Sequence, residues 1–182
     1  MKRTIIKPPA LEPGALGELK NWLAITTPRD DATLLALLRA SIDMCEAFIW
    51  RMPLEATCEE VLPARRDWQA LATGPVQSVT NIEALAIDGT RTPLDLGAYA
   101  IDLEHDGRAR IRLIDPFFGE RLAVRFTAGI APDWDTLPDA LRHGIVRLAA
   151  HDYRQRDEGE GRAGPPASVA ALWQPWRALR LT

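Results

Sequence analysis

The chain has 182 residues, 22 Lys and Arg against 25 Asp and Glu, a formal net charge of -3, and 47% hydrophobic residues. That length suits one domain with extensions, and a chain of this size buries roughly 70% of its unfolded surface, so its core needs no disulfide or structural metal. Near-neutral charge excludes a surface that grips nucleic acid over its whole extent, and Cys45 and Cys58 form no CxxC pair, which argues against a zinc ribbon or a dithiol redox site and for a reducing compartment.

Residues 1–13 are rich in proline (Pro8, Pro9, Pro13) and read as an extended N-terminal arm. Ile5-Ile6 is followed at once by Lys7-Pro8-Pro9, which leaves no apolar region for a signal peptide, so export is not expected. Leu16, Leu19, Leu23 and Ala24 then fall at helical spacing and predict a first helix that Thr26-Thr27-Pro28 ends, because proline disfavours helical geometry in the residue before it. A second helix follows. Asp30 or Asp31 is placed to cap it, and Leu35, Leu38, Ile42, Cys45, Ile49 and Met52 recur in steps of three and four up to Pro53. This spacing puts Cys45 on the buried seam as a small core residue. The most apolar run, residues 34–42, is broken by Arg39 and falls short of the roughly 18 residues a membrane span requires.

From Ala56 to Ile130 the period shortens and turn signals multiply: Thr73-Gly74-Pro75, Asp88-Gly89, Thr92-Pro93, His105-Asp106-Gly107 and Asp115-Pro116. The β-like runs between them, residues 57–62, 68–71, 78–86, 99–103, 108–114 and 121–127, predict an antiparallel sheet. Arg108, Arg110 and Arg112 alternate with Ala109, Ile111 and Leu113, the pattern of a strand with one wet and one buried face. Leu137, Leu141, Ile145, Leu148 and Ala149 mark a long third helix running to about Asp157, with Thr136 as its cap and Pro138 in its first turn. The fold class is therefore α+β: a small helical bundle of two N-terminal helices and one long C-terminal helix, with an inserted antiparallel sheet and an extended C-terminal arm. A single α+β domain spans residues 14–158. Residues 159–166 read as a flexible linker, and residues 167–182 as a docking tail.

Chemistry is sparse. The chain carries no GxSxG, HExxH, Walker-type GxxxxGK[ST] or GxGxxG motif, and Gly159-Glu160-Gly161 follows a helix where a dinucleotide fingerprint follows a strand. His143 and His151 lie about 12 Å apart along one helix, too far to chelate one metal. His105-Asp106 falls in a turn with no nucleophile beside it. No enzyme, cofactor or metal site is expected. Arg142, Arg147, Arg154 and Arg156 on the third helix are the best nucleic-acid candidates, yet Asp139, Asp152, Asp157 and Glu158 interleave with them and nearly cancel the field.

The tail is the anomaly. It holds Val169, Leu172, Trp173, Trp176, Leu179 and Leu181, with Arg177 and Arg180 as its only charges. Burying one Trp contributes on the order of 4–6 kcal/mol, so this segment needs a surface to cover: a partner's, or that of its own domain. Pro175 removes the hydrogen bond to the Ala171 carbonyl, so two short elements are expected rather than one helix. If the tail docks elsewhere, cutting the chain after Glu158 leaves a folded domain.

Taken in order, the stretches LKNWLAITTPRDDATLLALLRASIDMCEAFI, GPVQSVTNIEAL, AVRFTAGIAPDWDTLPDALRHGIVRLAAHDYRQRD and PASVAALWQPWRALRL cover most of the chain. With the Gly74-Pro75-Val76-Gln77-Ser78-Val79 turn into a strand, Thr127-Ala128-Gly129 at a strand end, His151-Asp152-Tyr153 near a helix end and Trp176-Arg177 in the tail, the chain resembles the head-tail connector, or adaptor, proteins of long-tailed phages and gene transfer agents. Trp173 and Trp176 stand where leucine and tyrosine are more usual. The resemblance implies a non-enzymatic structural subunit, forming a dodecameric ring with itself beneath a portal protein. A tail-side stopper or tail terminator protein would sit below, and DNA would pass through the lumen without specific binding. It implies assembly in the cytoplasm, residence in the neck of a phage or gene-transfer-agent particle, and no membrane partner. Under this reading Val169, Leu172, Trp173, Trp176, Arg177, Leu179, Arg180 and Leu181 contact the portal or a neighbouring subunit. The alternative is a small nucleic-acid-binding or accessory module using the arginines of the last long helix.

Overall fold

In the computed structural model, which describes residues 3–11, 13–114, 121–155 and 164–178, the chain divides into two units, each made of separate stretches. Met1–Pro9 and Glu55–Ile130 form a β unit, and Ala10–Leu54 with Ala131–Thr182 form a helical unit. Among the described residues no helix is long and apolar enough to cross a membrane.

The helical unit holds α1 (Pro13–Leu23), α2 (Asp31–Ile49), α3 (Asp139–Gln155), α4 (Ala167–Trp173) and one 3-10 turn (Gln174–Trp176). Apolar periodicity decides which faces are buried. In α2 the seam is Leu34, Leu38, Ile42, Cys45 and Ile49; Leu34 takes the innermost first-turn place that the spacing had given to Leu35, which is half-buried. In α1 the buried positions are Ala15 and Leu19, and in α3 they run from Leu141 to Ala150 around Gly144. Trp134, buried ahead of α3, donates from Nε1 to Glu18 of α1 at 3.0 Å, and Lys20 of α1 pairs with Asp31 of α2 at 2.6 Å. Asp30 occupies the N-cap position of α2, but its side chain caps nothing. Its Oδ2 accepts from the Tyr153 hydroxyl of α3 at 3.0 Å, so the expected cap ties two helices instead.

The β unit contains two antiparallel sheets. The larger runs β1 (Arg3–Lys7), β2 (Ala56–Pro63), β8 (Arg121–Ala128), β4 (Val76–Leu85), β5 (Arg91–Pro93) in that order; the smaller runs β3 (Gln69–Ala70), β7 (Ala109–Leu113), β6 (Tyr99–Leu103). Cys58, Leu62, Ile82, Ala84, Leu122, Val124 and Phe126 bury the large sheet's inner face, and Ala109, Ile111 and Leu113 that of the small one. All six expected runs contain a strand. Two further strands appear: β1 inside the stretch read as an arm, and β5 across Thr92-Pro93. The turn at Asp115-Pro116 lies outside the described residues.

Candidate interaction surface

The C-terminal segment is built on the helical unit by one missing side chain. Trp173 is fully buried, tilted against Phe48 of α2 with ring centroids 5.9 Å apart, and its Nε1 donates to the Leu141 carbonyl of α3 at 3.4 Å. It fits because α3 carries Gly144 there: a Cβ on Gly144 would stand 2.2 Å from Nε1 of Trp173. Val169, one turn earlier in α4, is buried too, and Arg147 of α3 reaches Ser168 at 3.2 Å. Pro175 closes α4 after Trp173, as its missing N–H requires, and the chain continues as the 3-10 turn. Arg177 is extended, with its guanidinium 5.2 Å from the Phe48 ring and 4.9 Å from the Trp50 ring, and the Ala178 N–H donates to the Ile49 carbonyl at 2.9 Å.

The eight tail residues therefore separate. Val169 and Trp173 are spent within their own unit; Leu172 and Trp176 are half-buried, and Arg177 is exposed. Leu179, Arg180 and Leu181 lie outside the described residues, as do Arg156, Asp157, Glu158 and most of the stretch read as a linker. Cutting the chain after Glu158 would empty two core positions, so it would not leave the helical unit intact. Of the seat, Leu141 was expected only as a core position of the third helix, and Phe48, Trp50 and Gly144 were not singled out from the sequence. A glycine in mid-helix was its one available signal.

Two of the arginines of α3 are engaged locally: Arg142 pairs with Asp139 at 2.8 Å and Glu18 at 3.8 Å, and Arg147 with Ser168, while Arg154 in the last turn is exposed. His143 meets the exposed Trp22 edge-on, with centroids 5.2 Å apart. Among the described residues no group of three His, Cys, Asp or Glu is placed to hold a metal ion.

In the β unit, the buried Glu59 lies under two guanidiniums, receiving both terminal nitrogens of Arg91 at 2.8 Å and Arg125 at 3.4 Å. The Arg91 hydrogen bonds, with the charges of Arg91 and Arg125, hold its carboxyl below the usual carboxylate range against the opposing effect of burial. Glu60, buried beside it in sequence, accepts the N–H groups of Ala72 and Thr73, one on each oxygen, at 2.9 Å. On the small sheet the wet face expected from Arg108, Arg110 and Arg112 is present: Arg110 pairs with Asp102 and Glu104, and the guanidiniums of Arg110 and Arg112 lie 5.7 and 4.8 Å from the ring of exposed Trp68.

No protein-family model and no curated protein matches the chain. Solved structures do. A chain in the neck of an empty gene transfer agent particle, computed with C6 symmetry, matches with a TM-score of 0.79 at 28% identity over 100% of this chain and 98% of that one. A chain of the virion of a native gene transfer agent particle matches at 0.76 and 29% identity with the same coverage. A chain in the neck of a native particle, computed with C12 symmetry, matches at 0.75 and 31% identity over 98% of this chain and 97% of that one. Both units, the tail segment included, thus have their counterparts in a single chain of that neck, and this protein belongs to the head-tail connector family of long-tailed phages and gene transfer agents.

Proposed function

We propose that the protein is a structural adaptor subunit of the neck of a phage-like particle: its copies form a ring beneath the portal protein, join capsid to tail, and leave a channel for DNA. The observation that carries this is the end-to-end match to neck chains of particles computed with C6 and C12 symmetry. A twelvefold ring of identical copies makes head-to-tail contacts, in which two different surfaces of each copy meet. The role is mechanical rather than catalytic, and a net charge of -3 suits a lumen that lets phosphates pass without holding them. The portal protein lies on one side of the ring and a tail-side stopper or terminator on the other. Of the tail residues, Leu172, Trp176 and Arg177, with Leu179, Arg180 and Leu181 beyond them, make the contact to the portal or the neighbouring copy; Val169 and Trp173 hold the segment in place. The nucleic-acid alternative is weakened at Arg142 and Arg147, which bond within their own unit.

The test is to tag the chain in its host, purify what it assembles with, identify the proteins by mass spectrometry and image the particles. Portal and tail proteins together with ring-bearing necks are the expected result. A chain recovered free of particle proteins and bound to nucleic acid would replace this reading with the alternative.

A further inference from the structure

The two sheets of the β unit have four edge strands, and three of them are guarded. β3 has two residues; β5 has three and ends in Pro93; β1 carries a register shift between Ile5 and Lys7, the charge of Lys7, and Pro8 and Pro9 directly after it. Short length, proline, lysine and bulges are the devices that stop an edge from pairing with another chain. β6 has none of them. Its five residues, Tyr-Ala-Ile-Asp-Leu, pair with β7 in unbroken register, and its outer side pairs with nothing among the described residues.

The Ala98 carbonyl accepts from Ile114, and the Glu104 N–H donates to Arg108. By the alternation of an antiparallel ladder, Ala100 and Asp102 also bond toward β7, so the N–H and C=O groups of Tyr99, Ile101 and Leu103 point outward. These residues sit opposite Leu113, Ile111 and Ala109, on the apolar face. Their β7 partners are buried, but Ile101 and Leu103 are 37% and 46% exposed. On the other face Asp102 and Glu104 both meet Arg110, and these carboxylates stand on or directly after the outer strand while Arg108, Arg110 and Arg112 stand on or beside β7 behind it, so an added strand would meet Asp102 first. The edge thus asks for a strand that reads apolar, basic, apolar.

We propose that residues 179–182 of one copy, Leu-Arg-Leu-Thr, add as a strand to the open edge of β6 in the next copy. Leu179 and Leu181 would lie beside Ile101 and Leu103, and Arg180 beside Asp102 and Glu104, while the strand backbone takes up the outward groups of Tyr99, Ile101 and Leu103. Arg177 is already extended where the described chain runs toward this segment. The contact rests on the ring reading and deepens it, because a donor segment and a different acceptor edge give each copy the two unlike surfaces that a ring requires.

Two full-chain variants separate donor from acceptor. Deleting residues 179–182 removes the donor. Ile101→Pro blocks the acceptor and spares the β7 ladder, because the Ile101 N–H points away from it. Each variant alone is expected to stay monomeric in sedimentation at concentrations where the wild type associates. Mixed, they should form a one-to-one complex, since one retains the tail and the other the edge, and the Ile101 and Leu103 amides of the tail-less copy should slow in hydrogen exchange. A mixture that remains monomeric overturns the proposal. Necks that incorporate both variants as efficiently as wild type overturn it while leaving the ring reading intact, whereas a wild-type chain absent from necks removes the ring reading itself.

Discussion

At Gly144 and Gly17 the same substitution has opposite consequences, and packing decides the sign. An alanine in a helix interior is worth up to about 1 kcal/mol over glycine. At Gly17 of α1 nothing lies within 4 Å of an added Cβ, so Gly17→Ala should raise the melting temperature. At Gly144 the added carbon would meet Trp173 at 2.2 Å; overpacking of this kind costs about 1–3 kcal/mol, so Gly144→Ala should lower it and shift Trp fluorescence as the indole leaves its seat. An unchanged spectrum would show that Trp173 does not depend on that glycine. Cys45 is governed by burial: removal from water, helped by the charge of Glu46, pushes its thiol up to about 12. The native protein should therefore not react with a thiol reagent at pH 8 through Cys45, and Cys45→Ser should lose thermal stability without a specific assembly defect. Glu59 works in the opposite direction. Its folded carboxyl titrates below its ordinary 4.5, so its contribution to stability is complete above that pH and is lost as pH falls through the lower folded value. Acid titration of wild type and Glu59→Gln by circular dichroism should show the two curves converging below pH 4.5, and curves that stay parallel would mean that the Arg91 and Arg125 pairs add nothing to folding.

Among the elements, those that bury a full apolar stripe or alternate cleanly were legible in the sequence. α2 announced itself through Leu38, Ile42, Cys45 and Ile49, and β7 through its strict alternation of arginine with Ala109, Ile111 and Leu113. β1 and β5 were not legible, although the edge strands β3 and β6 were: β1 runs straight into Pro8-Pro9 and β5 is three residues ending in Pro93, so proline masks the one and shortness the other. The tail was read correctly as two short elements, since Pro175 acts locally. That Val169 and Trp173 would pack on their own unit depended on Gly144, a residue far away in sequence whose contribution is an absence. Glu60 stands in the sequence merely as one half of the acidic pair Glu59-Glu60; in the structure it is the acceptor that fixes the Ala72–Thr73 stretch to β2. Glu60→Gln keeps the shape but turns an amide NH2 toward one of those donors, which should cost about 1–3 kcal/mol in a urea titration. A cost near zero would show that the stretch holds without it.

For the molecule as a whole, the division of labour within the tail sets what a truncation can reveal. A chain ending at Ala178 keeps Val169 and Trp173, so it should melt close to the wild type and yet fail to join necks; a chain ending at Glu158 should lose stability first, and its assembly defect would be uninformative. Equal incorporation of the shorter-tailed but stable chain would remove residues 179–182 from the proposed contact. The passage between the units has a further consequence. Leu54 and Ala131 form a parallel bridge, and the Ala131 N–H donates to the Pro53 carbonyl at 3.1 Å. The helical unit is thus stitched shut across the gap at which the other unit is inserted, and to the helices everything from Glu55 to Ile130 is an excursion that departs and returns at one seam. With its two ends so joined, the helical unit does not need the excursion to close it, and a chain carrying a Gly/Ser linker of about a dozen residues in place of the excursion, and lacking Met1–Pro9, should retain a cooperatively melting helical spectrum.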